Sequence, residues 1–233
     1  VGFRRMFLEL TVTSAQGELL WASGRTSDLG VILDGTTQNP LPTESGVALR
    51  DFQPHYQRIT QGHQAQIYQE LIKDSDGYLT TSFVRRVHPV KDNRIRPKGF
   101  DPNMFLRNPS PFIQILGELD GDEGKDPHYF DPRLTGSDEV TYLIQLTPQQ
   151  VRHLGEIRAV LHSQSTPPSY LQQRFHDATV GPAAKDQIQR LYYLTSHLNA
   201  GPATRIAGWK VALAQDRYPL TPAASPPART RRP

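Results

Sequence analysis

From Phe3 to Val12 the chain alternates in polarity: Met6, Leu8, Leu10 and Val12 fall on one side, Arg5, Glu9 and Thr11 on the other. That period-two pattern predicts a half-buried strand. SAQG (14–17) is a turn, and ELLWASG returns as a second strand, closing a hairpin. LGVILDG offers a short third strand or a loop anchor, and residues 35–50, rich in Pro, Thr and Gly, form a connection. QAQIYQELI suits a helix through Ile67 and Leu71 and suits a strand as well. The hairpin-type turn KDSDGY and the β-branched, aromatic run LTTSFVRRVHPV favour paired strands over 64–73 and 79–90.

Residues 91–137 are strewn with Pro, Gly and Asp and form a long irregular stretch, of the kind that often carries contacts to a partner. Regularity resumes in EVTYLIQL, where Val140, Tyr142, Ile144 and Leu146 share a face, and in EIRAVLHSQS, which turns Ile157, Ala159 and Leu161 inward. Thr166-Pro167-Pro168 signals a helix start before SYLQQRFH. A second helix spans about 184–199, with Ile188, Leu191, Tyr192, Thr195 and Leu198 as its inward stripe, and GWKVAL supplies a last strand. This pattern predicts a mainly β fold, an Ig-like antiparallel β-sandwich with long loops and two short helices near the C-terminal end. It covers residues 1–217, and residues 218–233 form a Pro-rich basic tail.

Composition narrows the function classes. The chain has no cysteine, which excludes disulfides, thiolate metal sites, cysteine nucleophiles and covalently attached c-type haem within it. A net charge of +3 sits largely in the terminal ARTRRP, so the body is near neutral and no nucleic-acid groove is expected. No apolar run reaches the roughly 18 residues of a membrane span, and no signal peptide is seen. A chain that opens on Val1 and runs at once into a strand reads as a processed piece or fragment of a longer protein.

The candidate chemistry lies in the histidines and the loop acids. His55 and His63 stand eight residues apart in a Gln- and Tyr-rich stretch. Pro54 and Tyr56 flank His55 and make it the better candidate ligand, since neutral imidazole is a usual partner of haem iron and transition metals. His88, His162 and His197 read as surface or helix-end residues, and His128 lies in the acidic loop. In ELDGDEGKDPHYFD, the carboxylates of Asp120, Asp122 and Asp126 are hard oxygen ligands close enough in sequence to hold calcium. DSDG at 74–77 lacks the later bidentate acid of a calcium loop and reads as a hairpin turn. Neither a nucleophile elbow, an HExxH motif nor a glycine-rich phosphate loop occurs, so no enzymatic activity is expected of this chain. Arg4-Arg5, Arg85-Arg86 and the terminal arginines read by default as solvated, with pairing to haem propionates or acidic partner surfaces as the alternative.

VGFRRMFLELTVTSAQGELLWASGRT, QPHYQRIT, QAQIYQEL, VKDNRIRPKGF, GSDEVTYLIQL and PPSYLQQRF…QRLYYLTSHLN follow one another in order along most of residues 1–214. This series resembles the C-terminal, cysteine-free domain of bacterial multihaem c-type cytochromes. The CxxCH motifs and the glycine-histidine segment that precede that domain are not in this sequence, so no haem-attachment residue carries over. The resemblance implies the haem-free module of a periplasmic or extracellular electron-transfer protein. Haem c is then expected in an upstream part or a partner chain, with His55 near that boundary, and homo- or hetero-oligomers fit the same picture. A second reading is an Ig-like protein- or glycan-binding module of a secreted assembly, its 91–137 loop making the contacts. A metal-dependent hydrolase using the His and Asp residues of 55–131 is a more remote third.

Overall fold

The computed structural model describes residues 3–114, 117–119, 121–180 and 185–220. Its strands are β1 (Arg5–Ser14), β2 (Leu19–Ser23), β3 (Arg58–Ile59), β4 (Ile67–Tyr68), β5 (Glu70–Lys73), β6 (His88–Asp92), β7 (Thr141–Tyr142), β8 (Leu154–Gln164) and β9 (Val211–Pro219). Four short helices, α1 (Pro102–Leu106), α2 (Pro111–Gln114), α3 (Pro127–Phe130) and α4 (Pro148–Arg152), punctuate the middle of the chain. Two longer ones, α5 (Pro168–Val180) and α6 (Lys185–Ser196), follow β8.

One antiparallel sheet runs β2-β1-β8-β9, with β4 pairing the start of β1 beside β2. Two ribbons stand apart from it: β3 with β7, which is parallel, and β5 with β6, which is antiparallel. The fold is therefore β-rich, with few and short helices. Among the described residues the strands form one five-stranded sheet and the two ribbons, and the expected Ig-like sandwich is not confirmed.

In the first half of β1 the core sits on the opposite side from the one the alternation suggests, while Val12, further along, is buried as expected. Phe7 is fully buried with Ile32, Leu41, Ala65 and Ile67, while Met6, Leu8 and Leu10 are only half-buried. The same reversal holds in β8, where Val160, His162 and Gln164 are buried rather than Ile157, Ala159 and Leu161. The cause is cross-strand pairing of polar groups. Arg5 Nε donates to Gln164 Oε1 at 2.8 Å, and Arg5 Nη1 lies 2.6 Å from Glu44 Oε2. Opposite Phe7, the His162 ring Nε2 bonds Glu9 Oε2 at 2.8 Å. Polar side chains paired in this way share a core face with Phe7.

Further corrections concern length and place. LGVILDG makes only isolated bridges, and its Gly35 lies so close to β2 that a Cβ would stand 1.8 Å from the Ala22 carbonyl oxygen. The hairpin over 64–73 and 79–90 is shorter than expected, because β4 leaves it to join β1 and only β5 pairs with β6. The turn between them is the predicted one: Asp74 Oδ1 accepts from the backbone N–H of Asp76 and Tyr78. EVTYLIQL contributes just β7. At the C-terminal end β9 runs from Val211 to Pro219, longer than the strand expected in GWKVAL.

Candidate functional site

In β4, Ile67 shares the face of its partner Phe7 and enters the core, so Gln66 and Tyr68 fall on the other face. There they meet residues from four loop segments around the His55 imidazole. His55 Nε2 lies 2.9 Å from Asp126 Oδ2, and its Nδ1 lies 3.0 Å from Gln66 Nε2 and 3.2 Å from Asn93 Nδ2. Gln66 Nε2 also donates to Asp138 Oδ2 at 3.2 Å, and the Tyr68 hydroxyl donates to the same oxygen at 2.7 Å. Tyr129 packs edge-on to His55, with ring centroids 4.9 Å apart, and its hydroxyl donates to the Asn93 carbonyl at 2.7 Å. His55, Gln66, Asn93, Asp126 and Tyr129 are all buried.

Local sequence explains each placement. Asp126 caps the first turn of α3, accepting from the His128 N–H, and Pro127 fills the first helical position. Tyr129 follows on the inner side of that turn. Asn93 is held because its Oδ1 accepts from the Gln69 N–H at 2.9 Å, and Gln66 because its Oε1 accepts from the Tyr56 N–H at 2.8 Å.

Those two backbone bonds decide the chemistry of the imidazole. With both amide oxygens occupied by N–H groups, the NH₂ ends of Gln66 and Asn93 must face His55 Nδ1. Nδ1 is therefore the acceptor, and Nε2 carries the hydrogen donated to Asp126. His55, Asp126 and Asp138 have ligand atoms within 4.8 Å of one another, a spacing that suits a metal ion. A metal-bound imidazole, however, donates its second N–H to an acceptor. Here the second nitrogen meets two donors, so a metal on Nε2 would force Nδ1–H against them. The donor set does not fit a transition ion, and the same reasoning applies to a haem iron.

The charges of the node are local. Burial pushes the Asp126 carboxyl up, but the His55 bond and the His128 backbone and side-chain bonds outweigh it, and the net shift is downward. Burial, followed by the negative charge of Asp138, drives the hydroxyls of Tyr68, Tyr129 and Tyr142 above the ordinary phenol range. They remain neutral, and those of Tyr68 and Tyr129 donate within the node.

Next to the node lies a buried cation. Lys91 is 1% exposed, and its Nζ donates to the carbonyls of Gln53 at 2.8 Å, Ile67 at 2.7 Å and, more weakly, Pro54 at 3.4 Å. Burial lowers its pKa to about 7, against the opposing pull of Glu123 and Glu44. Fully buried Glu123 accepts the Asp92 N–H at 2.8 Å and so ties the 122–125 turn to β6. Lys91 in turn clamps the 53–54 segment onto β4.

The expected site residues are distributed as follows. His55 is interior, with both nitrogens engaged within the chain. Asp126 is its partner. Asp122 lies at the surface, 2.8 Å from Lys125 Nζ, in a setting separate from Asp126, and Asp120 falls outside the described residues. His63 is exposed, whereas His162 and Arg5, expected on wet faces, are buried. Sequence reasoning passed over Gln66, Asn93, Asp138, Tyr68 and Lys91. Their signal was that QAQIY, VKDNR and GSDEVTY are separate motifs, each supplying one member or more of a single constellation.

No family model matches the chain, and no curated protein is similar to it. Among solved structures it is similar to a penta-haem cytochrome c552 from Thermochromatium tepidum, at 11% identity and a TM-score of 0.36, over 94% of this chain and 31% of that one. The chain thus spans about a third of that protein, and the likeness is too slight to assign a family.

Proposed function

We propose that the chain is a haem-free docking module of an electron-transfer protein of the multihaem cytochrome type, acting in the periplasm or outside the cell. The observation that carries this reading is the unpartnered C-terminal region. Every residue of β9 is exposed although the strand is well paired to β8, so among the described residues nothing covers its faces or its outer edge. α6 buries no residue fully, and it presents Tyr192, Tyr193 and Leu194 at 60%, 61% and 56% exposure. Apolar surface on ordered elements of this kind marks an interaction site.

The haem-bearing nature of the partner is inferred from the ordered motif series, four of whose members, QPHYQRIT, QAQIYQEL, VKDNRIRPKGF and GSDEVTYLIQL, supply residues of the His55 node. In this reading the module's own role is structural, and the His55 node serves as a hydrogen-bond network that holds loops to β4. No helix among the described residues is long and apolar enough to cross a membrane. The test is spectroscopic. The chain alone should show no Soret band, and on mixing with the CxxCH-bearing polypeptide encoded with it, Soret absorbance should co-elute with the chain. A reading frame and its neighbours without any CxxCH motif would overturn the reading.

A further inference from the structure

The segment from Asp74 to Val87 that joins β5 to β6 carries a second surface, unrelated to β9. At its tip Phe83 is 71%, Val84 94% and Val87 52% exposed. The base of this loop is pinned by α5. The Thr81 N–H donates to Gln173 Oε1 at 2.8 Å, Gln173 Nε2 donates to the Leu79 carbonyl at 3.2 Å, and Arg174 Nη2 donates to Thr81 Oγ1 at 3.0 Å. The Val87 N–H bonds the Lys73 carbonyl at 3.0 Å on the other side. The apolar tip is therefore held out on a braced stem instead of folding back onto the body.

Around that stem five guanidiniums share three carboxylates. Arg85 and Arg174 lie 3.0 and 3.2 Å from Asp177. Arg86 and Arg94 both reach Glu70, and Arg94 and Arg96 both reach Asp92. This leaves an excess of two positive charges, and the adjoining turn does not change it, since Lys73 and Arg50 are matched there by Asp74 and Asp76. Arg229, Arg231 and Arg232 account for the +3 net charge of the whole chain, so the remainder is formally neutral and this face is a local concentration. Guanidiniums paired on one edge keep N–H donors on the other, in a fork that matches carboxylates.

We propose that the 79–87 loop is a docking prong for an apolar recess rimmed by Asp and Glu side chains on the haem-bearing partner. The proposal rests on the docking reading above and adds to it the surface used and the chemistry of the surface met. Phe83 and Val84 enter the recess, and Arg85, with the unspent charge behind it, sets orientation and approach rate. Because the stem is already ordered, little conformational entropy is lost on binding.

The test compares the wild-type chain with the double variant Phe83→Ser/Val84→Ser and with Arg85→Ala, by calorimetry against the CxxCH-bearing polypeptide. Unfolding midpoints of the variants check that they fold. The double variant should bind about thirtyfold or more weakly, and wild-type affinity should fall severalfold as salt is raised. Arg85→Ala should reduce that salt dependence. If the folded double variant binds as tightly as wild type, the prong is overturned while the docking reading stands. If the wild type ignores the haem-bearing polypeptide yet binds a polyglutamate peptide in a Phe83-dependent way, the docking reading falls and the acidic recognition is supported. Phe83-dependent binding to vesicles of phosphatidylglycerol and phosphatidylcholine, with no protein binding, would overturn the proposal in favour of a lipid surface.

Discussion

Replacing Lys91 by Met tests whether this interior cation behaves as its surroundings require. In the unfolded chain the ammonium keeps its proton up to the usual 10.5, whereas in the fold burial brings the pKa to about 7. That difference corresponds to about 5 kcal/mol of destabilisation whenever the group is charged in both states, that is, below pH 7. Between pH 7 and 10.5 the unfolded state binds more protons than the native one, so raising the pH favours folding by about 1.4 kcal/mol per unit. A neutral amine still donates to the two close carbonyls, Gln53 and Ile67, and forfeits only the long contact to Pro54.

Lys91→Met has no such titration. It relieves the buried charge but leaves two carbonyls without donors, at about 1–3 kcal/mol each. At pH 6 the two effects nearly cancel, and the variant should match wild type within about 2 kcal/mol or exceed it. By pH 9 the wild type should have gained about 2–3 kcal/mol relative to the variant. Urea unfolding of both proteins at half-unit steps from pH 6 to 9 reads this directly. Parallel stability curves through pH 9 would show that Lys91 titrates in its usual range and would refute the reasoning.

Two further outcomes follow from the same structure. Burial raises the Glu9 carboxyl, but the His162 bond and the charge and bond of Lys210 bring it from the usual 4.5 down to about 2. Its stabilisation is present above pH 4.5 and disappears as the pH falls towards 2, so Glu9→Gln should remove about 3 kcal/mol of acid sensitivity, seen by circular dichroism during acid titration. NMR of the imidazole nitrogens should show His55 with hydrogen on Nε2 and none on Nδ1, unmoved by equimolar Zn²⁺. A shift of the hydrogen to Nδ1 on adding the metal would overturn the exclusion of a metal from the node.

The elements most visible in the sequence are those whose signals are local. The β1–β2 hairpin, the Asp74 turn and the two late helices follow from alternation, turn residues and a proline start, and each is found near its expected place. The face that forms the core at the Arg5–Phe7 end of β1 was not legible, although Val12 was. Its burial depends on Arg5 meeting Gln164 and on Glu9 meeting His162, partners 159 and 153 residues away. The His55 node was hidden for the same reason. A histidine among glutamines looks wet until Gln66 and Asn93 are seen to be oriented by backbone N–H groups. Asp126 was singled out for its charge, yet its role is set by the imidazole it caps.

The node also bears on how the middle of the chain comes apart. Among its described residues, the stretch from Asn93 to Asp138 owns few buried apolar side chains; Tyr129, Asn93, Asp126 and Asp138 attach it to Gln66, Tyr68 and His55, and Glu123 attaches it to β6. Such a segment opens as one cooperative unit, because losing any attachment leaves the others with unpaired donors. Amide exchange in this stretch should therefore share a single opening free energy below that of the β1–β8 pair. A protease would find its sites there all at once or not at all.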